Sequence, residues 1–150
     1  MAKPKRIGLY LRRDFKWVVQ FDESSKYEMP MERRGIHTLC GVKYLFGDNC
    51  AAFGWRYNPE YPKFVEILAK VRNDGPVCEG YREVVVTSIP IDEMALLHLY
   101  CNDTYYWFSC NGITVKVPKT HSQRLCTRLA PRFGGFYKAP HDITLKLKSL

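Results

Sequence analysis

The chain has 150 residues, of which 46% are hydrophobic and 14% aromatic, and this composition excludes a disordered segment and predicts one folded domain over residues 1–150. Apolar runs of about eighteen residues are missing, and arginines at positions 12 and 13 interrupt the short apolar stretch near the N-terminus. Neither a membrane span nor a signal peptide is therefore expected. We expect an intracellular, cytoplasmic protein whose thiols stay reduced.

The net charge of +8 is distributed unevenly along the chain. Residues 1–16 carry six bases and one acid, and residues 104–150 carry eight bases and one acid. Residues 17–103 between them carry nine bases and thirteen acids. Basic ends around a mildly acidic middle favour a polyanionic partner, either nucleic acid or an acidic protein surface.

The first third of the chain favours strands. Four stretches rich in β-branched, aromatic or alternating apolar residues predict them: 6–12, 16–21, 36–46 and 50–57. Residues 13–15 are expected to turn the first pair, and the polar stretch 22–35 is expected to form a loop. Asn58 to Pro62 should end the fourth strand.

A helix is predicted between Pro62 and Asn73. Phe64, Ile67, Leu68 and Val71 stand at the spacing of one helix face. Proline suits the first helical turn, and the Asn-Asp-Gly-Pro sequence from Asn73 suits an end.

The next two segments differ in how clearly they can be assigned. Residues 81–87 contain three consecutive valines and predict a strand. Residues 92–101 hold good helix formers behind Asp92, which could cap a helix, although a buried strand fits them as well. We adopt the helix, which would place His98 in apolar surroundings.

The strongest local prediction is a hairpin over residues 105–117. Two runs of aromatic and β-branched residues flank Asn111-Gly112, the dipeptide best suited to a type I′ turn.

The C-terminal part completes the predicted fold. Residues 120–129 are expected to form a short helix, 131–140 a loop, and 143–148 an edge strand with outward lysines. The fold class predicted is α+β, with a largely antiparallel sheet of about 7–8 strands and 2–3 short helices.

Cysteine and histidine offer little metal chemistry. The six cysteines, at positions 40, 50, 78, 101, 110 and 126, are expected to be small buried side chains rather than three disulfide bridges. His37 and Cys40 form a close pair of ligand types, but the repeated spacing of a structural zinc site is missing. We expect no metal and no cofactor.

One histidine is a weak catalytic candidate. His121 lies among Lys119, Arg124 and Arg128, where an imidazole could serve a metal-free ribonuclease. The competing interpretation is a surface histidine in a basic segment. Catalytic activity is therefore less favoured than a non-catalytic role.

The function predicted from these patterns is non-catalytic binding of nucleic acid or of a complex that contains it. Basic side chains would contact phosphates, and exposed aromatic rings would stack on bases if one face of strand 105–110 is open to solvent. The predicted contact residues are Arg12, Arg13, Tyr105, Trp107, Lys116, Lys119, Arg124, Arg128 and Arg132. The alternatives are a protein-interaction or inhibitor module that acts on an acidic or nucleic-acid-binding surface of a partner and, third, a small nuclease or hydrolase.

Overall fold

The computed structural model describes residues 11, 13–27, 35–73, 81–133 and 141–150. Within these ranges the chain forms strands, turns and one short 3₁₀ turn at Glu23–Ser25. The ten strands are β1 (Asp14–Phe21), β2 (His37–Tyr44), β3 (Cys50–Tyr57), β4 (Phe64–Arg72), β5 (Tyr81–Pro90), β6 (Met94–Cys101), β7 (Tyr105–Cys110), β8 (Ile113–Pro118), β9 (Cys126–Leu129) and β10 (Leu145–Ser149).

The strands form two five-stranded sheets. Sheet A has the order β5-β4-β3-β2-β9, and sheet B has the order β10-β1-β6-β7-β8. Every neighbouring pair within a sheet is antiparallel. The two sheets therefore resemble a β-sandwich of the jelly-roll type, with the outer faces of A and B on opposite sides of the molecule.

Aromatic side chains from both sheets meet in the core. Phe53 of sheet A lies edge-on to Trp17 and Phe108 of sheet B, at ring-centre distances of 6.2 and 5.1 Å. Phe21 of sheet B contacts Trp55 of sheet A at 5.1 Å. Each of these rings is at most 3% exposed, so aromatic packing is a main source of the apolar burial that stabilises the sandwich.

The predicted α+β class is wrong, and residues 64–72 show why. They form strand β4, in which Val65, Ile67, Ala69 and Val71 alternate toward the core. Leu68 lies on the opposite face of the same strand and is nevertheless only 2% exposed. Burial on both faces of the strand therefore gives the stretch an apolar pattern that imitates a helix face.

The helices predicted at 92–101 and 120–129 are also absent from the described structure. Residues 94–101 form β6, in which alternate side chains such as Leu97 and Leu99 are buried. Exposed Met94 and Leu96 on the outer face hid the alternation in the sequence. Residues 120–125 have no regular secondary structure and lead into β9.

Several local predictions are confirmed. β7 and β8 form the predicted hairpin, and both turn residues have positive φ angles, 47° at Asn111 and 85° at Gly112. β10 lies at an edge of sheet B with Lys146 and Lys148 exposed. The predicted turn at 13–15 is wrong because Asp14 already begins β1. Residues 6–10 of the first predicted strand lie outside the described residues.

Across the described ranges, no helix has the length and apolar character that crossing a membrane requires.

Candidate functional site

Three of the predicted contact residues do come together. Tyr105 and Trp107 lie half-buried on the outer face of β7, with ring centres 6.1 Å apart. The ammonium group of Lys116 on β8 lies 4.2 Å from the centre of the Tyr105 ring and 5.3 Å from that of Trp107. We call the outer-face cluster of Tyr100, Tyr105, Trp107 and Lys116 the aromatic face.

A second group of predicted residues surrounds a carboxylate near the start of β7. Arg13 and Arg124 lie 3.4 and 3.6 Å from Asp103. Lys119 is 7% exposed, and its ammonium group donates a hydrogen bond of 3.1 Å to the carbonyl oxygen of Gln123. These cations are largely occupied by partners within the fold.

The remaining predicted residues are dispersed. Arg128 lies over the ring of Phe15 at 5.7 Å, and Arg132 lies at the edge of sheet A, in a backbone bridge with Thr38. Arg12 lies outside the described residues. The structure thus divides the predicted set among separate surfaces.

The candidate histidine His121 belongs to a structural cluster. Its Nε2 shares a hydrogen bond with the hydroxyl group of Tyr106, and its ring lies 4.4 Å from that of Tyr44. Burial raises the pKa of both tyrosines above the ordinary value. This arrangement keeps the hydroxyl groups protonated and uses the histidine to satisfy one of them.

The cysteines behave as packing residues. Cys40, Cys101, Cys110 and Cys126 are buried thiols, whereas Cys50 is only half-buried. Burial raises the pKa of Cys101, Cys110 and Cys126 to about 11, which disfavours the reactive thiolate. Cys78 lies outside the described residues. The described part of the chain contains no cluster of three or more metal-ligating side chains.

A groove on the outer face of sheet A was not predicted from the sequence. It has a volume of about 240 Å³. Its described lining consists of Thr38, Lys43, Asp48, Cys50, Ala52, Lys70, Arg72, Leu129, Ala130 and Arg132. We call it the cationic groove, because four of these side chains are cationic and only Asp48 is anionic.

The strand register explains how the groove assembles. Cys50 of β3 pairs with Lys43 of β2 on one side and with Arg72 of β4 on the other. One row further along, Ala52 pairs with Gly41 and Lys70. Cross-strand neighbours on one face lie close together, so long cationic side chains surround a floor of small ones.

The chain around Ile36 packs closely against Gly54 beside the groove. Any Cβ at Gly54 would lie 2.5 Å from Cγ2 of Ile36 and 2.8 Å from Cδ of Lys70. The ammonium group of Lys70 donates a hydrogen bond of 3.3 Å to the carbonyl oxygen of Ile36. Glycine at position 54 therefore lets the chain around Ile36 cross the outer face of the sheet.

The electrostatics of the groove are not balanced. Burial lowers the pKa of Lys70, and the nearby charge of Arg132 acts in the same direction, while Glu83 opposes both. Asp48 lies 3.4 Å from Arg72 and partly offsets its charge. The described lining of the groove thus has four cationic side chains and one carboxylate, and this excess of positive charge favours an anionic ligand.

The sequence concealed this site in two ways. Lys43, Lys70 and Arg72 fall in the stretch 17–103, whose net charge is negative. The helix predicted between Pro62 and Asn73 also separates Lys70 from Arg72, because helical residues two positions apart do not share a face. Reading residues 64–72 as a strand would have put Lys70 and Arg72 on one side, which was the signal available.

Comparisons with known proteins identify the fold. No protein-family model and no curated protein sequence matches this chain. Alginate lyase A1-II′, a member of polysaccharide lyase family 7, is similar in structure, with a TM-score of 0.57 at 8% identity over 91% of this chain and 61% of the lyase. Alginate lyase AlyC3 gives a TM-score of 0.53 at 9% identity over 92% of this chain and 65% of the lyase. The chain spans less than two thirds of each lyase, and identities this low show a shared fold alone.

The predicted function is corrected on these findings. The chain shares a β-sandwich fold with two alginate lyases, and the residues predicted to contact nucleic acid lie on separate surfaces instead of one. The nucleic-acid-binding prediction, together with its interaction-module alternative, is therefore wrong.

Proposed function

We propose that the protein binds an acidic polysaccharide, a polymer with carboxylate groups on its sugars, in the cationic groove. The observation that carries the proposal is the charge of the described lining, which contains four cationic side chains and one carboxylate, that of Asp48. The four are Lys43, Lys70, Arg72 and Arg132. A chain of regularly spaced carboxylates would complement such a surface.

The shape of the groove supports an extended ligand. Cys50 and Ala52 provide a floor of small side chains, so a sugar ring can approach the sheet closely. Arg72 and Arg132 can each form two parallel hydrogen bonds to a carboxylate. Lys43 supplies a more flexible point charge at the exposed end of the groove.

The comparisons support the ligand class. Alginate, the polysaccharide named for both lyases, is a polymer of uronic acids and carries a carboxylate on each sugar. Each lyase is longer than the part that matches this chain, so the ligand class alone supports the proposal.

Isothermal titration calorimetry with short uronic-acid oligosaccharides tests the proposal. The double variant Lys43→Ala/Arg132→Ala removes two exposed groove cations and should weaken binding about ten-fold or more. The matched control, Lys63→Ala/Arg124→Ala, removes one lysine and one arginine that do not line the groove. The control should bind as the unaltered protein does.

Two further ligands separate specific binding from general attraction of charge. A neutral glucan of the same length should bind far more weakly, since it lacks carboxylates. Single-stranded DNA of equal charge should also bind more weakly, because its phosphates are spaced differently. The proposal fails if both double variants lose affinity equally, or if DNA binds as tightly as the oligosaccharide.

A further inference from the structure

The outer face of sheet B carries a row of aromatic side chains in register. Tyr100 of β6 pairs with Trp107 of β7, which pairs in turn with Lys116 of β8. Tyr105 follows Trp107 along the same face of β7, with a ring-centre distance of 6.1 Å. Three rings and one cation therefore lie side by side on a surface formed by three neighbouring strands.

These side chains are accessible although they lie on a sheet. Tyr100 is 39% exposed, Tyr105 and Trp107 are half-buried, and Lys116 is exposed. Aromatic rings carry negative charge on their faces and attract the partly positive C–H groups of a sugar ring. Lys116 lies within cation–π distance of two rings, which places its charge where an anionic substituent of a stacked sugar would project.

Polar groups adjoin the aromatic row. The hydroxyl groups of Ser109 and Thr114 lie 2.6 Å apart in the next cross-strand pair on the same face of β7 and β8. His98, the partner of Ser109 on β6, shares a hydrogen bond with Asp14. Sugar hydroxyl groups need donors and acceptors of this kind beside an apolar surface.

We propose that the aromatic face is a second binding surface for an acidic polysaccharide, on the side of the sandwich opposite the cationic groove. A sugar ring stacks on Trp107 and Tyr100, and its carboxylate pairs with Lys116. The ligand class rests on the proposed function of the groove, whereas the surface itself rests on independent residues.

The charge of this face selects the occupant. On the described strands this face has one exposed carboxylate, Asp14, and four exposed lysines. The lysines are Lys16, Lys116, Lys146 and Lys148. A second copy of the chain docked face to face would bring these lysines against one another. An anionic chain with apolar ring faces complements both the charge and the aromatic row.

Trp107 provides a direct reporter of binding. The chain has three tryptophans, and the other two, Trp17 and Trp55, are 3% and 2% exposed. Quenching of tryptophan fluorescence by acrylamide therefore monitors Trp107. Oligo-uronate should reduce this quenching both in the unaltered protein and in the groove variant Lys43→Ala/Arg132→Ala.

Variants of the row give the matched comparison. Tyr100→Ala and Lys116→Ala should each abolish the protection of Trp107 from acrylamide, or weaken about ten-fold the affinity for oligo-uronate that this protection reports. Ile113→Ala removes an accessible apolar side chain, 51% exposed, from the same sheet outside the row, and should leave the protection unchanged. Trp107→Ala should lower the calorimetric stoichiometry from two oligosaccharides per chain to one.

The outcomes for the two sites are separable. If calorimetric binding disappears in the groove variant and the ligand never alters Trp107 quenching, the groove proposal stands and this inference is overturned. If Trp107 is protected although the groove variant binds normally, the inference stands and the groove proposal fails. Equal protection by a neutral oligosaccharide would overturn the acidic ligand at this face.

Discussion

The hydroxyl group of Tyr27 lies 2.8 Å from Nε2 of His37 in the interior of the sandwich. The two side chains are 4% and 1% exposed, and the His37 ring stacks on Phe133 at 3.7 Å. Burial lowers the pKa of His37 to about 4, with the nearby charge of Lys70 as a second cause. The folded protein therefore holds this histidine neutral, as an aromatic core residue rather than as the metal ligand that its spacing from Cys40 could have indicated.

Acid should destabilise the fold through His37. The unfolded chain binds a proton near pH 6.5 and the folded chain only near pH 4, so the contribution to stability is complete above pH 6.5 and is lost as the pH falls toward 4. The free energy of unfolding in urea should fall by about 2 kcal/mol between pH 7 and pH 5 from this group. His37→Gln keeps a hydrogen-bonding side chain that does not titrate and should flatten this dependence. An unchanged slope in the variant would refute the assignment.

Gly41→Ala should be among the most damaging small substitutions in sheet A. A Cβ at this position would lie 2.3 Å from the carbonyl oxygen of Ala51 and 2.5 Å from Cα of Ala52, which are backbone atoms of the paired strand. The strands would have to separate, and we expect a loss of more than about 2 kcal/mol in the free energy of unfolding. Gly112→Ala is the control, since its φ of 85° adds strain without any contact within 4 Å and should cost about 1 kcal/mol. Equal losses measured by urea denaturation would argue against the clash.

Lys70→Met should separate ligand binding from stability. Burial disfavours the charged form of Lys70, as the lowered pKa shows, and methionine keeps an unbranched apolar side chain without the charge. The variant should melt at the same temperature or higher but bind oligo-uronate about ten-fold more weakly. Thermal unfolding and calorimetry on the same samples check both halves. A lower melting temperature together with unchanged affinity would remove Lys70 from the site.

Local structure that depends on neighbouring residues could be predicted from the sequence, whereas the pairing of distant strands could not. Asn111-Gly112 specifies its turn through φ angles that few other dipeptides adopt easily, so that hairpin was predicted correctly. Residues 64–72 contain both a helical and an alternating apolar pattern, and only the neighbouring strands β3 and β5 decide between them. Tertiary context overrides local propensity in such a stretch.

The candidate sites follow the same rule. Tyr105, Trp107 and Lys116 belong to one hairpin, so their proximity could be predicted from the sequence. Lys43 and Arg72 flank Cys50 only through the register of three strands that are far apart along the chain. No local motif marks such a groove, because its charge is assembled by pairing rather than by spacing.

A protein with binding surfaces on both outer faces should cross-link long polysaccharide chains. The cationic groove lies on sheet A and the aromatic face on sheet B, so one molecule can hold two chains at once. Mixing with long alginate should raise light scattering, and excess protein should reverse the rise because each chain is then saturated separately. Lys43→Ala/Arg132→Ala and Tyr100→Ala should each retain one surface, bind alginate and leave the scattering low. Gel filtration should show a monomer in every case, because a dimer could cross-link through one surface alone. Scattering of the Tyr100→Ala variant equal to that of the unaltered monomer would contradict the two-surface arrangement.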